Sequence, residues 1–176
     1  TLTADLAAVE RRYGRSLADR PAVFAFGSGE SFRGGLESLF GYPAATARIV
    51  SATSGGVLIT GLRTIAINWA AVARERPVTI LRHELSHTAL RELTGPRDDV
   101  PAWLDEGLAA LEQRSLSGAD EARRQVAVAA AFAAGGTVGL ERLTTRADWL
   151  RHAEASQGRV YLMAASAVSL LEADLG

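Results

Sequence analysis

The segment LRHELSHTALREL at residues 81–93 constrains the fold most, because it predicts a helix with two chemically different sides. His83 and His87, two of the three histidines in the chain, lie four residues apart and therefore project from one face of a helix. The opposite side is an apolar stripe that consists of Leu81, Leu85, Ala89 and Leu93. We therefore expect a helix that packs against a core on one side and presents polar side chains to a cleft on the other.

Glu84 lies between the two histidines in the sequence and predicts a chemical role for their face of the helix. It is rotated by about 100° from His83, which suits a carboxylate that reaches a water on the metal rather than the metal itself. Such a carboxylate can accept a proton from that water and pass it to a leaving amine. His-Glu-x-x-His on a helix therefore predicts a metal site with its own general base. The alternative is that two histidines share a half-exposed face by chance, which is less plausible in a chain with only three.

A third metal ligand must be a residue other than cysteine, because the chain contains none. A catalytic zinc takes three protein ligands and keeps a fourth position open. The next candidate is Glu106 in the segment PAWLDEGLA at residues 101–109, which predicts a second helix. Ala109 and Ala110 lie near Glu106 on that helix and are small enough to let two helices approach closely. The alternative is that Glu106 is an acidic residue favoured by a first helical turn, a role that Asp105 fits better.

Together the two segments resemble the gluzincin zinc metallopeptidases, in which His-Glu-x-x-His is followed by a helix carrying Trp-Leu-x-Glu-Gly-x-Ala. Eighteen residues separate His87 from Glu106, which is the interval of the zinc aminopeptidases, and the short chain looks closest to small peptidase MA-like domains. The resemblance implies that His83, His87 and Glu106 bind Zn²⁺ and that Glu84 is the general base. It is strong over residues 82–110 and covers the remainder only in outline.

Two further residues are candidates for the donor that stabilises the oxyanion of a tetrahedral intermediate. Tyr161 comes first, because related gluzincins place a tyrosine on a helix after the glutamate ligand. The spacing of Tyr161 and Ser166 is also similar to that in peptidase MA sequences. The alternative for Tyr161 is a core residue of an amphipathic helix. His152 comes second, because other gluzincins use a histidine, although a lone histidine in a charged segment is more often only solvated.

The remaining features of the family are matched in part. The segment RTIAINWA at residues 63–70 resembles the edge strand along which zincins align an extended substrate. The chain has no Gly-x-Met-Glu-Asn segment, with which the aminopeptidases hold a free substrate N-terminus, so cleavage from the N-terminus is unsupported. Ala110 stands where thermolysin-like enzymes have an aspartate, so no partner of the two metal-binding histidines is assigned.

Segments with strand character precede segments with helix character along the chain. Strands are predicted at residues 22–26, 46–53, 56–61 and 63–70. Helices are predicted at residues 2–13, 31–40, 77–93, 98–114, 120–134, 140–152 and 160–175. This order favours an α+β fold, and the resemblance implies a zincin-like one. We expect a single metallopeptidase domain over residues 1–176, with a mixed-sheet lobe and the active-site helix at 1–95 and a helical lobe at 96–176.

Composition and charge exclude several classes of partner. The net charge of −1 and the lack of basic runs argue against nucleic acid. The longest apolar run, residues 126–140, is broken by Gly135 and Gly136, so no membrane-spanning segment is predicted. The chain begins at Thr1 rather than at Met, which is compatible with a removed leader and a secreted or extracytoplasmic location.

The sequence therefore predicts zinc-dependent hydrolysis of a peptide bond in a peptide or protein substrate. Two alternatives stay open: a zincin-fold module that binds a partner without catalysis, and a zinc hydrolase that acts on a non-peptide bond. Every residue type that the hydrolytic mechanism needs is present, which favours an enzyme over a degenerate relative.

Overall fold

The structure, a computed structural model, describes residues 2–72, 77–95, 99–113, 118–156 and 159–175. Contacts within the chain separate it into two units, residues 1–96 and 97–176. The prediction that both form a single metallopeptidase domain stays a prediction. Within the described ranges, no helix is both long enough and apolar enough to cross a membrane.

A mixed three-stranded sheet forms the centre of the first unit. Its strands are β1 (Ala22–Phe26), β2 (Gly56–Ile59) and β3 (Thr64–Asn68). β3 lies in the middle, parallel to β1 and antiparallel to β2, and all of its residues are buried. The prediction of an edge strand at residues 63–70 is therefore wrong. The three central residues of the segment TIAIN are apolar, and the strand is buried because another strand pairs with each of its edges and helices cover both of its faces.

Helices of the first unit pack on both faces of this sheet. They are α1 (Leu2–Tyr13), α2 (Gly29–Ser38), α3 (Ala44–Thr53), α4 (Trp69–Val72) and α5 (Pro77–Thr94). Because successive strand side chains point to opposite faces, Ile65 and Ile67 join a core with α1 and α5. Ala66 joins a second core with α2 and α3. Each fully buried Leu, Ile, Val or Phe side chain stabilises by roughly 1.5–3 kcal/mol, so the first of these cores fixes α5 relative to the sheet.

Residues 46–53 form a helix, so the strand predicted there is wrong. Their β-branched content suggested a strand, but the buried residues of α3 are Ala47 and Val50, three positions apart, as on one face of a helix. The hydroxyl groups of Ser51 and Thr53 donate to backbone carbonyls of the preceding turn. Helical spacing of the buried positions therefore outweighs strand propensity in this segment.

The described part of the second unit is helical. Its helices are α6 (Ala102–Gln113), α7 (Gly118–Ala133), α8 (Arg146–Ala155) and α9 (Arg159–Leu175). The predicted helix at 140–152 is instead a short 3-10 turn at Leu140–Arg142 followed by α8. The side chain of Thr145 caps α8 by accepting a hydrogen bond from the Asp148 amide at 3.1 Å.

Close packing of α6 on α9 is the main contact of the second unit. Gly107 permits it, because a Cβ atom there would lie 2.7 Å from the carbonyl oxygen of Ala164. The neighbouring contact residues are also small, including Ala110 and Ala165. A separate core holds Leu143 and Trp149, both fully buried. A small mixed sheet followed by a helical unit is compatible with the predicted α+β class.

Candidate metal centre

The two histidines of α5 lie side by side, as their spacing predicts. Their ring centroids are 4.8 Å apart, with an interplanar angle of 81°. Each residue is only 7% exposed. On the opposite side of the helix, Leu81, Leu85 and Ala89 are buried in the core that faces β3. Leu93 was expected to continue this stripe, but it is 47% exposed, because the core does not extend to the last turn of α5.

Two polar contacts with α1 hold α5 at residues next to the histidines. Arg82 donates a hydrogen bond from Nε to Oδ1 of Asp5 at 2.7 Å. The hydroxyl groups of Tyr13 and Ser86 are hydrogen-bonded at 2.5 Å. Asp5 and Ser86 are both 1% exposed, so these contacts are shielded from water and help to fix the rotation of α5.

Glu84 is 3% exposed and depends on a glycine of β2 for its space. A Cβ atom on Gly56 would lie 3.2 Å from Oε1 of Glu84 and 2.9 Å from Cγ2 of Ile80. Any larger residue at position 56 would therefore push against the predicted general base. In the sequence Gly56 is only the first residue of a predicted strand, and its role depends on a contact that no local pattern reveals.

Glu106 lies on a buried side of α6. It is 1% exposed, together with Ala109 at 0% and Ala110 at 3%. On the same helix, Trp103 and Leu104 are only partly buried. A carboxylate removed from water in this way is unstable without a compensating charge or hydrogen bond.

Arg146, the first residue of α8, supplies such a charge and was missed at the level of sequence. Its guanidinium group donates a hydrogen bond from a terminal nitrogen to Oε1 of Glu106. Partial desolvation lowers the pKa of Arg146, but the negative charge of Glu106, followed by Tyr161 and Asp105, outweighs it, so the pKa lies above its ordinary value. Arg146 therefore stays protonated beside the carboxylate. Forty residues separate the pair in the sequence, which left no spacing signal.

The two candidates for the oxyanion donor lie in the second unit. Tyr161 is on α9, where its ring packs edge-on against Trp149 with centroids 4.9 Å apart. Its phenol is close enough to Arg146 to act on the charge of that residue. His152 is partly buried in the last turn of α8. Tyr161 thus affects the pKa of Arg146, the partner of Glu106, and the oxyanion roles of Tyr161 and His152 stay predictions.

One potential ligand atom from each of His83, His87 and Glu106 lies within 4.8 Å of the other two, and all three residues are buried. Two imidazoles and a carboxylate are a donor set of catalytic zinc sites. Donor atoms on one tetrahedral zinc lie roughly 3.3 Å apart, given bonds of about 2.0–2.2 Å. The group can therefore hold a metal ion.

Comparisons with protein-family models, with curated proteins and with solved structures give no match to the chain. The relationship to gluzincins therefore stays a prediction that rests on the residues between His83 and Glu106.

Proposed function

We propose that the chain is a zincin-like, gluzincin-type zinc hydrolase that cleaves peptide bonds. The observation that carries the proposal is the buried group of His83, His87 and Glu106, with Glu84 beside the histidines on the same helix. When bound, zinc supplies a Lewis acid that polarises the scissile carbonyl group and the attacking water. Its three ligands leave one coordination position for the reaction.

Glu84 acts as the general base in this proposal. It takes a proton from the attacking water and delivers it to the nitrogen of the leaving amine. Its 3% exposure supports this role, because a carboxylate that is shielded from bulk water is a better proton acceptor. The space that Gly56 leaves beside Oε1 keeps the carboxylate in place.

Two groups of the second unit complete the proposal. Arg146 holds the carboxylate of Glu106 ionised and oriented, ready to bind the cation. Tyr161 is the first candidate to donate a hydrogen bond to the oxyanion, and His152 is the second. The contact of Tyr161 with the buried ring of Trp149 restricts its rotamer, which supports a positioned donor.

The substrate is proposed to bind as an extended strand. β2 has a strand neighbour on one edge only among the described residues, and its residue Gly56 lies beside Glu84. A peptide that pairs with the other edge of β2 would gain backbone hydrogen bonds with little sequence preference. β2 thereby replaces residues 63–70 as the edge strand along which the substrate aligns.

Substitution of Glu84 by Gln tests the mechanism. Cleavage of a peptide library should fall by roughly 10²–10⁴-fold, the usual contribution of a general base, while one zinc per chain is retained. The matched control is Glu30→Gln, an exposed position in the first turn of α2, which should leave both unchanged. Full activity of the Glu84 variant would refute the mechanism.

Metal analysis distinguishes the alternatives. Glu106→Ala should lower the zinc content to well below one ion per chain, because only two ligands remain. Zinc bound by the unaltered chain without turnover of any peptide would instead support a partner-binding module. Turnover restricted to esters or other non-peptide bonds would support a zinc hydrolase that acts on a non-peptide substrate.

A further inference from the structure

A cavity of about 450 Å³ lies in the first unit, beside the C-terminal half of α5. Its volume falls within the range of small-molecule sites, roughly 300–1,000 Å³. The wall residues that matter here are Arg15, Leu58, Thr60, Arg63, Arg91 and Glu92. None of them belongs to the candidate metal centre, so the proposed hydrolysis leaves this cavity unused.

The wall of the cavity is positively charged although the chain as a whole carries a net charge of −1. The wall contains three arginines and one carboxylate, that of Glu92, while Asp19 outside the wall pairs with Arg63. The C-terminus of α5 adds a partial negative charge of about one half, which does not cancel the remaining excess. The cavity therefore favours an anion.

Two of the three arginines are already engaged by the protein. Arg63 pairs with Oδ2 of Asp19 at 2.5 Å and lies 3.6 Å from Oε1 of Glu92. Arg15 donates to the backbone oxygen of Glu92 at 3.3 Å. The side chain of Arg91, by contrast, makes no hydrogen bond or ion pair within the described part of the chain. Arg91 is thus the guanidinium that remains available to a ligand.

The carboxylate of Glu92 does not compensate the charge of Arg91, because other groups of the protein bind it. Glu92 has a side chain that is 8% exposed, and its Oε2 accepts a hydrogen bond from the Ala18 amide at 2.9 Å. This carboxylate braces the loop before β1 and the neighbouring Arg63, so it leaves the charge of Arg91 uncompensated.

The backbone at Arg63 supports a built site. Arg63 has φ 45°, and it is the one non-glycine residue with positive φ among the described residues. This left-handed conformation is sterically disfavoured for a residue with a Cβ atom, and it concentrates at ligand sites, where surrounding contacts enforce it. Here the ion pair with Asp19 and the proximity of Glu92 hold Arg63 at the wall of the cavity.

We propose that this cavity binds a small organic carboxylate through Arg91, with the apolar part of the ligand against Leu58. A planar guanidinium group matches a carboxylate through two parallel hydrogen bonds. Leu58 and Ala18 give the wall an apolar portion, which an inorganic anion cannot use. The carboxylate can belong to a free acid or to an acidic residue of a peptide, and the inference does not depend on the proposed hydrolysis.

Calorimetric titration of the purified chain tests the site with hexanoate, acetate, inorganic phosphate and a blocked tripeptide that contains Glu, beside its Gln analogue. Hexanoate should bind more tightly than acetate, by roughly fourfold for each methylene group that packs on the wall. Phosphate should bind more weakly than hexanoate. Binding of the Glu tripeptide but not of its Gln analogue would identify a peptide source, and binding of hexanoate alone would identify a free acid.

Arg91→Gln should weaken hexanoate binding by roughly tenfold or more, because the charge-assisted hydrogen bonds are lost. The matched control is Arg33→Gln on α2, since Arg33 is 49% exposed and lies outside the cavity wall. Equal thermal unfolding of the two variants establishes that both are folded. Hexanoate binding that is unchanged in Arg91→Gln would place the carboxylate elsewhere, including on a zinc ion, and overturn the proposal. Phosphate binding as tight as that of hexanoate would overturn the ligand class.

Discussion

In the first unit the candidate ligands are imidazoles on one helix, whereas in the second unit the candidate ligand is a carboxylate that several helices surround. His83 and His87 are adjacent because α5 is helical, and the core that α5 shares with α1 and β3 then fixes that helix. Glu106 is buried at 1% exposure and is accompanied by the cation of Arg146. A buried imidazole can be uncharged, but an ionised carboxylate must be compensated, so the second unit needs a specific partner.

This difference indicates which substitutions should disturb the metal ligands in each unit. Backbone geometry and apolar packing position the histidines, so single polar substitutions around them should have modest effects. Glu106 depends on one ion pair and on the close approach of α6 and α9 at Gly107. Changes in the second unit should therefore disturb metal binding more than comparable changes in the first.

The largest expected effect compares one tryptophan from each unit. Trp149→Ala should lower the free energy of unfolding by about 3–5 kcal/mol, because Trp149 is fully buried and packs against Tyr161. Trp69→Ala should cost less than about 1 kcal/mol, because Trp69 is 49% exposed. Urea denaturation measures both. Equal losses would remove the contrast between a buried and an exposed tryptophan.

An intermediate effect compares the two buried ion pairs, each with and without Zn²⁺. Arg146→Met should cost about 1–2 kcal/mol, less than a fully buried pair, because the Arg146 side chain is 51% exposed. Arg82→Met should cost a similar amount, about 1–2 kcal/mol, because it leaves the buried Asp5 without that guanidinium.

Thermal unfolding with added zinc separates the two pairs. Zinc should stabilise the Arg146→Met variant by less than it stabilises the unaltered chain, because Glu106 is then no longer held ionised and oriented for the ion. It should stabilise the Arg82→Met variant and the unaltered chain equally. If zinc stabilised all three proteins equally, Glu106 would not be a ligand of the metal, and the contrast between the two ion pairs would be lost.

The smallest expected effect on stability concerns the glycine beside Glu84. Gly56→Ala should cost about 1 kcal/mol, because its Cβ atom would displace the side chains of Ile80 and Glu84. The proposed peptide hydrolysis should nevertheless fall by roughly tenfold or more, since a small displacement of a catalytic group slows reaction strongly. Gly61→Ala is the control, because a Cβ atom there meets nothing within 4 Å. Loss of activity in both variants would exclude a specific role for Gly56.

Prediction from sequence succeeded where one local rule governs the structure. The helix of residues 77–93 and the adjacency of its histidines follow from helical periodicity, and the structure has this helix at Pro77–Thr94. It failed at residues 46–53, where two rules conflict. Strand propensity favoured a strand, and only the core that Ala47 and Val50 enter selects the helix.

The order of the strands in the sheet also could not be predicted from local sequence patterns. Nothing in the segment TIAIN states that β1 pairs with its far edge, so β3 was expected at the edge of the sheet but lies in its centre. Likewise, Arg146 looks like any other arginine in the sequence, and only its approach to Glu106 distinguishes it.

The sequence by itself determined which side chains can bind a metal or accept a proton. These are two histidines and a glutamate on one helix and a further glutamate on the next, with no cysteine to compete for a metal. These follow from composition and from the 3.6-residue period of a helix. The tertiary structure alone decided that Glu106 is buried with Arg146 and that Gly56 leaves room for Glu84. Such contacts join residues far apart in the chain, and they depend on how helices and strands pack rather than on any spacing within one segment.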